Sequence, residues 1–255
     1  KFRVDVRLCD VDKQFYLDYI DWLRSSCKTA WGKPVSPKTA HSYYTTLRTA
    51  LNEAVRENLI ASNPWYRLEM TEKIKVPESK RDFLTIEEIK RMMATPFFNE
   101  QVRQAYLFSC FCGLRISDIR KLRWRDLSMS GGQWRVSVVM TKTTHPVYIP
   151  LSSQAVKWLP ERGDCTPDGF VFGGLPNEGN LCVNLKSWAE KAGVKKNVTF
   201  HTARHSCAVL LLTLGADIYT VSKILGHRSV RSTQVYAKIV DKKKDDAIAL
   251  VDNAF

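Results

Sequence analysis

The chain has 255 residues, 44% of them hydrophobic, and its apolar runs fall well short of the roughly 18 residues that a membrane-spanning helix needs. That length and composition exclude a helical membrane protein and allow one large or two smaller domains with a buried core. Lysine and arginine number 39 against 26 aspartates and glutamates, a net charge of +13 spread over both ends of the chain, which argues for a polyanionic partner, nucleic acid first, over a small metabolite.

From Val11 to about Ala61 the pattern is helical. DKQFYLDYIDWLRSS repeats apolar residues at helical spacing, and Ser36-Pro37 is an N-cap with proline in the first helical position. The helix TAHSYYTTLRTALNEAV then runs to Asn58, with Ala40, Tyr44, Leu47, Leu51 and Val55 predicted as one buried stripe. Its other face carries Lys38, His41, Thr45, Arg48 and Asn52. Lys38, His41 and Arg48 on that face, and Lys33 ahead of the helix, are candidate contacts to a phosphate backbone, with an ordinary solvated face as the alternative.

The polar stretch TEKIKVPESKRD is the candidate linker, and it divides the chain near residue 78 into domains 1–77 and 78–255. Thr85, with Glu88 three residues later, is a capping box that opens the second domain. An apolar helix at about Val102–Cys112 is stopped by Gly113, and LRISDIRKLRWRDL is predicted to be a further helix. Trp134, Val136, Val138 and Met140 alternate on one face of QWRVSVVMT, and VYIPL resumes extended structure after KTTHP. That pattern predicts a β-hairpin with Lys142 at or near its turn. Helices are expected in LSSQAVKWL, at about 181–192, from His201, in IYTVSKILG and in STQVYAKIV, before a charged tail. The expectation is a mainly α chain: an α-helical domain followed by a mixed α+β domain with a small antiparallel β-sheet.

The seven cysteines are odd in number, and Cys110 and Cys112 are separated by a single residue. This is no disulfide framework; free thiols in a reducing cytoplasm are expected. The chain begins at Lys1 without an initiator methionine or signal sequence, as a fragment of a longer protein would, one in which an arm-type DNA-binding domain precedes Lys1 being one form.

In HTARH, His201 and His205 lie four residues apart, a spacing that can share a metal on a helix. The metalloprotease pattern requires glutamate after the first histidine, whereas here Thr202 follows and Arg204, a fixed cation, stands between the imidazoles. No metal is expected. His201 and Arg204, three apart, instead aim an imidazole and a guanidinium fork at one phosphate, and His205 is left to pack or cap.

Five separated pieces then carry a resemblance. CGLRISDI around Arg115, MTKTTHPVYIPL around Lys142, HTARH with His201 and Arg204, ILGH with His227, and Tyr236 beyond it are similar, in order and spacing, to the catalytic constellation of the tyrosine recombinases, the site-specific integrases. The wording from HTARHSCAVLLL to VYAKIV resembles mobile-element integrases of the Bacteroides group. The resemblance is firm over about 80–255 and looser over 1–77, which it makes a helical core-type DNA-binding domain ahead of a catalytic domain.

The chemistry explains those residue types. A phosphodiester repels a nucleophile and gains negative charge in its transition state, and permanent guanidinium forks at Arg115 and Arg204 match that charge without a metal. A phenol, with a reference pKa of about 10, needs a proton acceptor to attack at neutral pH. The resemblance implies that Tyr236 attacks the phosphorus, His201 accepts its proton, Lys142 protonates the leaving 5′-hydroxyl and His227 holds the phosphate. Asp118 is expected to orient Arg115. Arg120, Lys121, Thr141, Thr143, Arg228 and Arg231 are candidate backbone contacts around the scissile phosphate.

By the same resemblance, no cofactor is needed, a 3′-phosphotyrosine conserves the bond energy, and four protomers exchange strands of two double-stranded DNA sites through a Holliday junction. The two domains would form a C-shaped clamp on DNA, accessory DNA-bending proteins would assist, and the tail DKKKDDAIALVDNAF would dock on a neighbouring protomer. A type IB topoisomerase, a non-catalytic DNA-binding regulator on the same fold and a metal-dependent nuclease are the alternatives.

Overall fold

The computed structural model describes residues 2, 3, 5–76, 81–142 and 144–237. The expected boundary at residue 78, Thr143 and the tail DKKKDDAIALVDNAF lie outside the described residues. The chain divides into two compact units, Lys1–Lys80 and Arg81–Phe255.

In the first unit α1 (Lys13–Ser25) starts where Asp12 accepts a hydrogen bond from the amide of Phe15 at 2.8 Å. The second helix, α2 (Pro37–Arg56), starts at Ser36, whose hydroxyl accepts from the Thr39 amide, with Pro37 in the first turn as expected. Tyr16, Ile20 and Leu23 of α1 meet Ala40, Tyr44 and Leu51 of α2, and Leu68 closes the small core. Ala54, not Val55, carries the inner stripe to its end, because 3.6 residues per turn rotates a strict four-residue spacing off the contact line.

The second unit is built around α4 (Glu100–Cys112), buried at Val102, from Ala105 to Cys110, and at Cys112. A helix apolar on nearly every side belongs in the centre of a domain. Around it stand α3 (Ile86–Ala94), opened by the Thr85–Glu88 capping box, α7 (Glu178–Lys191) and α8 (Phe200–Thr213), with Trp188, Tyr106 and Phe200 packed edge to face. Each such buried aromatic stabilises the fold by roughly 1.5–3 kcal/mol. The sheet has three antiparallel strands, β1 (Leu127–Ser130), β2 (Gln133–Val139) and β3 (Pro146–Pro150), with Val136 opposite Ile149 and Val138 opposite Val147. Short helices α5 (Ile116–Ile119), α6 (Ser153–Val156), α9 (Ile218–Ile224) and α10 (Arg231–Ala237) complete the described unit.

The predicted helix LRISDIRKLRWRDL is corrected by the structure: only Ile116–Ile119 is α-helical, and Trp124–Asp126 is a 3-10 turn leading into β1. The backbone there bonds across the fold instead of along itself. Trp124 and Arg125 amides donate to Gly169 and Pro167 carbonyls, and Val171 donates to Leu122. All seven cysteines are free, with Cys27, Cys110, Cys112 and Cys207 buried. Among the described residues, no helix is long and apolar enough to cross a membrane.

Candidate active site

Gly113 ends α4 in the left-handed region at φ 74°, and a Cβ there would stand 2.6 Å from Leu225 Cδ2. Glycine therefore lets the chain reverse close beneath α9 and deliver Arg115 as the N-cap residue of α5. Asp118, 3% exposed, accepts the Thr141 amide on Oδ1 at 2.8 Å, while its Oδ2 lies 4.0 Å from Arg115 Nη1. The expected orienting role is thus shared: Asp118 steadies Arg115 loosely and fastens the β2–β3 connection firmly. Arg115 also reaches Met140 Sδ at 3.7 Å. Lys142 is exposed in that connection, on the loop that the expectation placed it on.

Arg204 lies inside α8, 4% exposed, and donates to the carbonyl of Gly113 at 2.6 Å and to that of Leu225. Both carbonyls end helices, α4 and α9, where unpaired oxygens and the helix dipole favour a cation. Burial first, and Arg115 second, lower the Arg204 pKa to about 10, which leaves it charged at neutral pH. Tyr236 and Asp118 act in the opposite sense on the same guanidinium, so these groups share one electrostatic neighbourhood.

His201 sits in the first turn of α8. Its pKa is lowered by burial, then by Arg204, Lys142 and Arg115. His227 follows Gly226 and pairs through Nδ1 with the hydroxyl of buried Thr233 at 2.7 Å. Burial, then Arg204, Arg115, Arg81 and His205, bring its pKa down to about 4, so it is a neutral imidazole at physiological pH.

Tyr236, on α10, is 1% exposed and packs with Ala208, Val209, Leu212, Val221 and Leu225. Its hydroxyl lies 2.5 Å from His205 Nδ1 and accepts from Arg81 Nη1 at 3.3 Å. The phenol thus meets His205, which sequence reasoning left to pack, and not His201, which it made the proton acceptor. His205 also has its pKa lowered to about 4, by burial and then by Arg81, His201 and Arg204. Arg81 was missed altogether. For His205 the available signal was its place one turn along α8 from His201; for Arg81, 155 residues before the tyrosine, the sequence offers none.

The candidate DNA contacts divide. Lys33, Lys38, Lys121, Thr141, Arg228 and Arg231 are exposed, and His41 is half-buried. Arg48 lies with its guanidinium 4.7 Å over the Trp65 ring, so packing claims much of it. Arg120 donates to the carbonyls of Leu175 and Pro176, fastening the loop before α7. Among the described residues, no group of three or more His, Cys, Asp or Glu side chains could hold a metal ion.

The sequence profile described as the Phage integrase family matches residues 82–243, and that described as the Phage integrase SAM-like domain matches residues 1–75. A tyrosine recombinase of Pseudothermotoga lettingae is 30% identical over 252 residues, covering 96% of this chain and 84% of that protein. Tyrosine recombinase XerD of Pseudomonas putida is 26% identical over 252 residues, covering 92% of this chain and 80% of its own length. Among solved structures, a lambda integrase (75–356) dimer bound to a COC′ core site superposes with a TM-score of 0.66 at 20% identity, over 92% of this chain and 82% of that one. The Tn1549 transposon integrase in complex with a circular intermediate DNA gives 0.67 at 15% identity, over 91% and 82%.

Proposed function

The chain belongs to the phage integrase family and is a tyrosine recombinase, a DNA strand-transferring enzyme of site-specific recombination; from that premise we propose how its own residues divide the work. Duplex DNA is the substrate. Arg115 and Arg204 flank the scissile phosphate and match its growing charge, with His201 and His227 as further ligands of its oxygens. Tyr236 attacks the phosphorus, the 5′-oxygen departs with a proton from Lys142, and a 3′-phosphotyrosine remains. A 5′-hydroxyl of a partner strand reverses the step, so resealing needs no nucleotide cofactor.

The observation that carries this reading is geometric: buried Tyr236 packs with Leu225, whose carbonyl accepts from Arg204, and the same guanidinium reaches the carbonyl of Gly113, two residues before Arg115. Lys33, Lys38 and Lys121 would hold the phosphate backbone, and the expected domains 1–77 and 78–255 would serve as DNA-holding and catalytic parts. A homotetramer on two sites, accessory DNA-bending proteins, a cytoplasmic life beside the nucleoid and a home on a Bacteroides-type mobile element complete the proposal. The wording of the stretch from His201 to Val240 and the likeness in fold to a transposon integrase favour that last point.

The test is a nicked duplex cut from the DNA that flanks the coding sequence, on which a cleaved strand cannot be resealed. A covalent adduct at Tyr236, formed equally in EDTA and absent from Tyr236→Phe, is the expected result. An adduct on another residue, or relaxation of plasmids lacking any cognate site, would replace this reading.

A further inference from the structure

Tyr236 Oη stands between one acceptor and one cationic donor. His205 Nδ1 lies 2.5 Å away, Arg81 Nη1 donates from 3.3 Å, and the Arg81 guanidinium lies 5.7 Å from the centre of the phenol ring. His201 takes no part in this contact: its ring centre is 6.4 Å from that of His205, and it is more exposed than the second histidine. Geometry within hydrogen-bond reach of the proton is the first requirement of a general base.

We propose that His205 is the group that receives the Tyr236 proton during strand cleavage, with Arg81 steadying the oxygen as it becomes anionic. The proposal rests on the reading of Tyr236 as nucleophile and deepens it. In the step, the phenol O–H bond breaks and its proton passes to His205 Nδ1. The freed electron pair makes the oxygen–phosphorus bond, and the P–O5′ bond breaks with its pair leaving on O5′, which takes a proton from Lys142. Resealing runs the same path backwards: His205 returns its proton to the departing phenol.

The surroundings keep His205 ready to accept. Arg81 approaches from the segment before α3, His201 and Arg204 from its own helix, Tyr236 from α10, and His227 from beyond α9. The cations oppose a resident proton on the imidazole, and burial does so more strongly. The imidazole is therefore neutral at rest but a weak base, and the phenol's proton passes to it only as the phosphorus takes up the charge left behind. His201, beside Lys142, Arg115 and Arg204, is left to the phosphate.

The experiment is single-turnover adduct formation on the nicked duplex, with DNA affinity measured in parallel. His205→Asn keeps an acceptor where Nδ1 stands but cannot carry a proton, and so separates positioning from base catalysis. Its rate should fall by roughly 100-fold, the scale of a lost general base, with affinity within about twofold of the wild type. His205→Ala should recover in part with added imidazole. A substrate with sulfur in place of O5′, which leaves without a proton, should rescue Lys142→Ala but neither His205 variant.

A His205→Asn rate within about threefold of wild type, or rescue by the sulfur substrate, overturns the proposal. So does recovery of His201→Ala, and not of His205→Ala, by imidazole. A wild-type protein that forms no tyrosyl adduct brings down the underlying reading instead. A second measurement needs no DNA: with 3-fluorotyrosine at position 236, the fluorine resonance should move on His205→Ala, and a resonance that stays in place refutes the contact itself.

Discussion

At the scale of single residues, His205 and His227 titrate near pH 4 when folded, against about 6.5 for an unfolded histidine. Between those values the unfolded chain binds protons that the native chain refuses, so native stability is full above about pH 6.5 and is lost as the pH falls towards 4. Thermal unfolding should show a midpoint that drops through this window, and His205→Gln should flatten the drop; a wild-type midpoint level from pH 7 to 5 would refute the assignment. Asp118→Ala removes the acceptor of the Thr141 amide at 2.8 Å, a charge-assisted bond worth about 1.5–3 kcal/mol. For a chain of this size that is a midpoint lower by roughly 3–12 °C, and slower adduct formation should accompany it, because the β2–β3 connection carries Lys142. Arg115, Arg204, His227 and Tyr236 were singled out because each stands in a local spelling with fixed spacing. His205 stood within that spelling too, yet nothing local says which of two histidines a turn apart will meet a tyrosine 31 residues on. That contact depends on where α10 packs, which is a tertiary fact.

The element that aims His227 is the end of α9. Gly226 sits at φ 59°, its amide donates to the Lys223 carbonyl, and the His227 amide donates to that of Ser222 at 3.0 Å, the paired bonds of a Schellman motif. A Cβ at Gly226 would stand 2.9 Å from Val147 Cγ2 and 3.0 Å from Met140 Cε, so the close approach of α9 to the hairpin also requires glycine. Gly226→Ala should therefore cost about 1–3 kcal/mol through strain and contact together and should slow cleavage by displacing His227. Gly132→Ala supplies the comparison, because it has a similar φ of 74° but nothing within 4 Å of the added atom. If both variants cleave alike, the motif does not position the histidine. Elements whose ends carry their own chemistry, such as the Thr85 capping box and the Gly113 stop, were legible. The stretch after Arg115 was not, because its helical apolar spacing is overridden by backbone bonds from residues 122–125 to residues 167–171. The strand β1 escaped for a related reason: of its four residues only Leu127 faces inward, too little alternation to register as a strand.

For the molecule as a whole, the net charge of +13 is carried by both units, and a protein that lays basic side chains along DNA releases condensed counterions when it binds. The logarithm of the binding constant then falls linearly with the logarithm of salt, with a slope of about −0.9 for each phosphate neutralised. Lys38 is exposed at the start of α2 and Lys121 just after α5, one in each unit. If both grip the backbone, Lys38→Ala and Lys121→Ala should each reduce the steepness by about one phosphate, on unrelated duplex as well as on the cognate site, and the double variant should lose both contributions. Arg120→Ala should behave differently, since it removes two bonds that hold the loop before α7: the midpoint of unfolding should fall, and a salt slope that stays would mark the residue as structural. Fluorescence anisotropy over a salt series reads these outcomes directly. A slope unchanged by Lys38→Ala would leave Lys38 out of the DNA contact. Its face of α2 would then be no more than a solvated one, the alternative that the spacing on that helix left open.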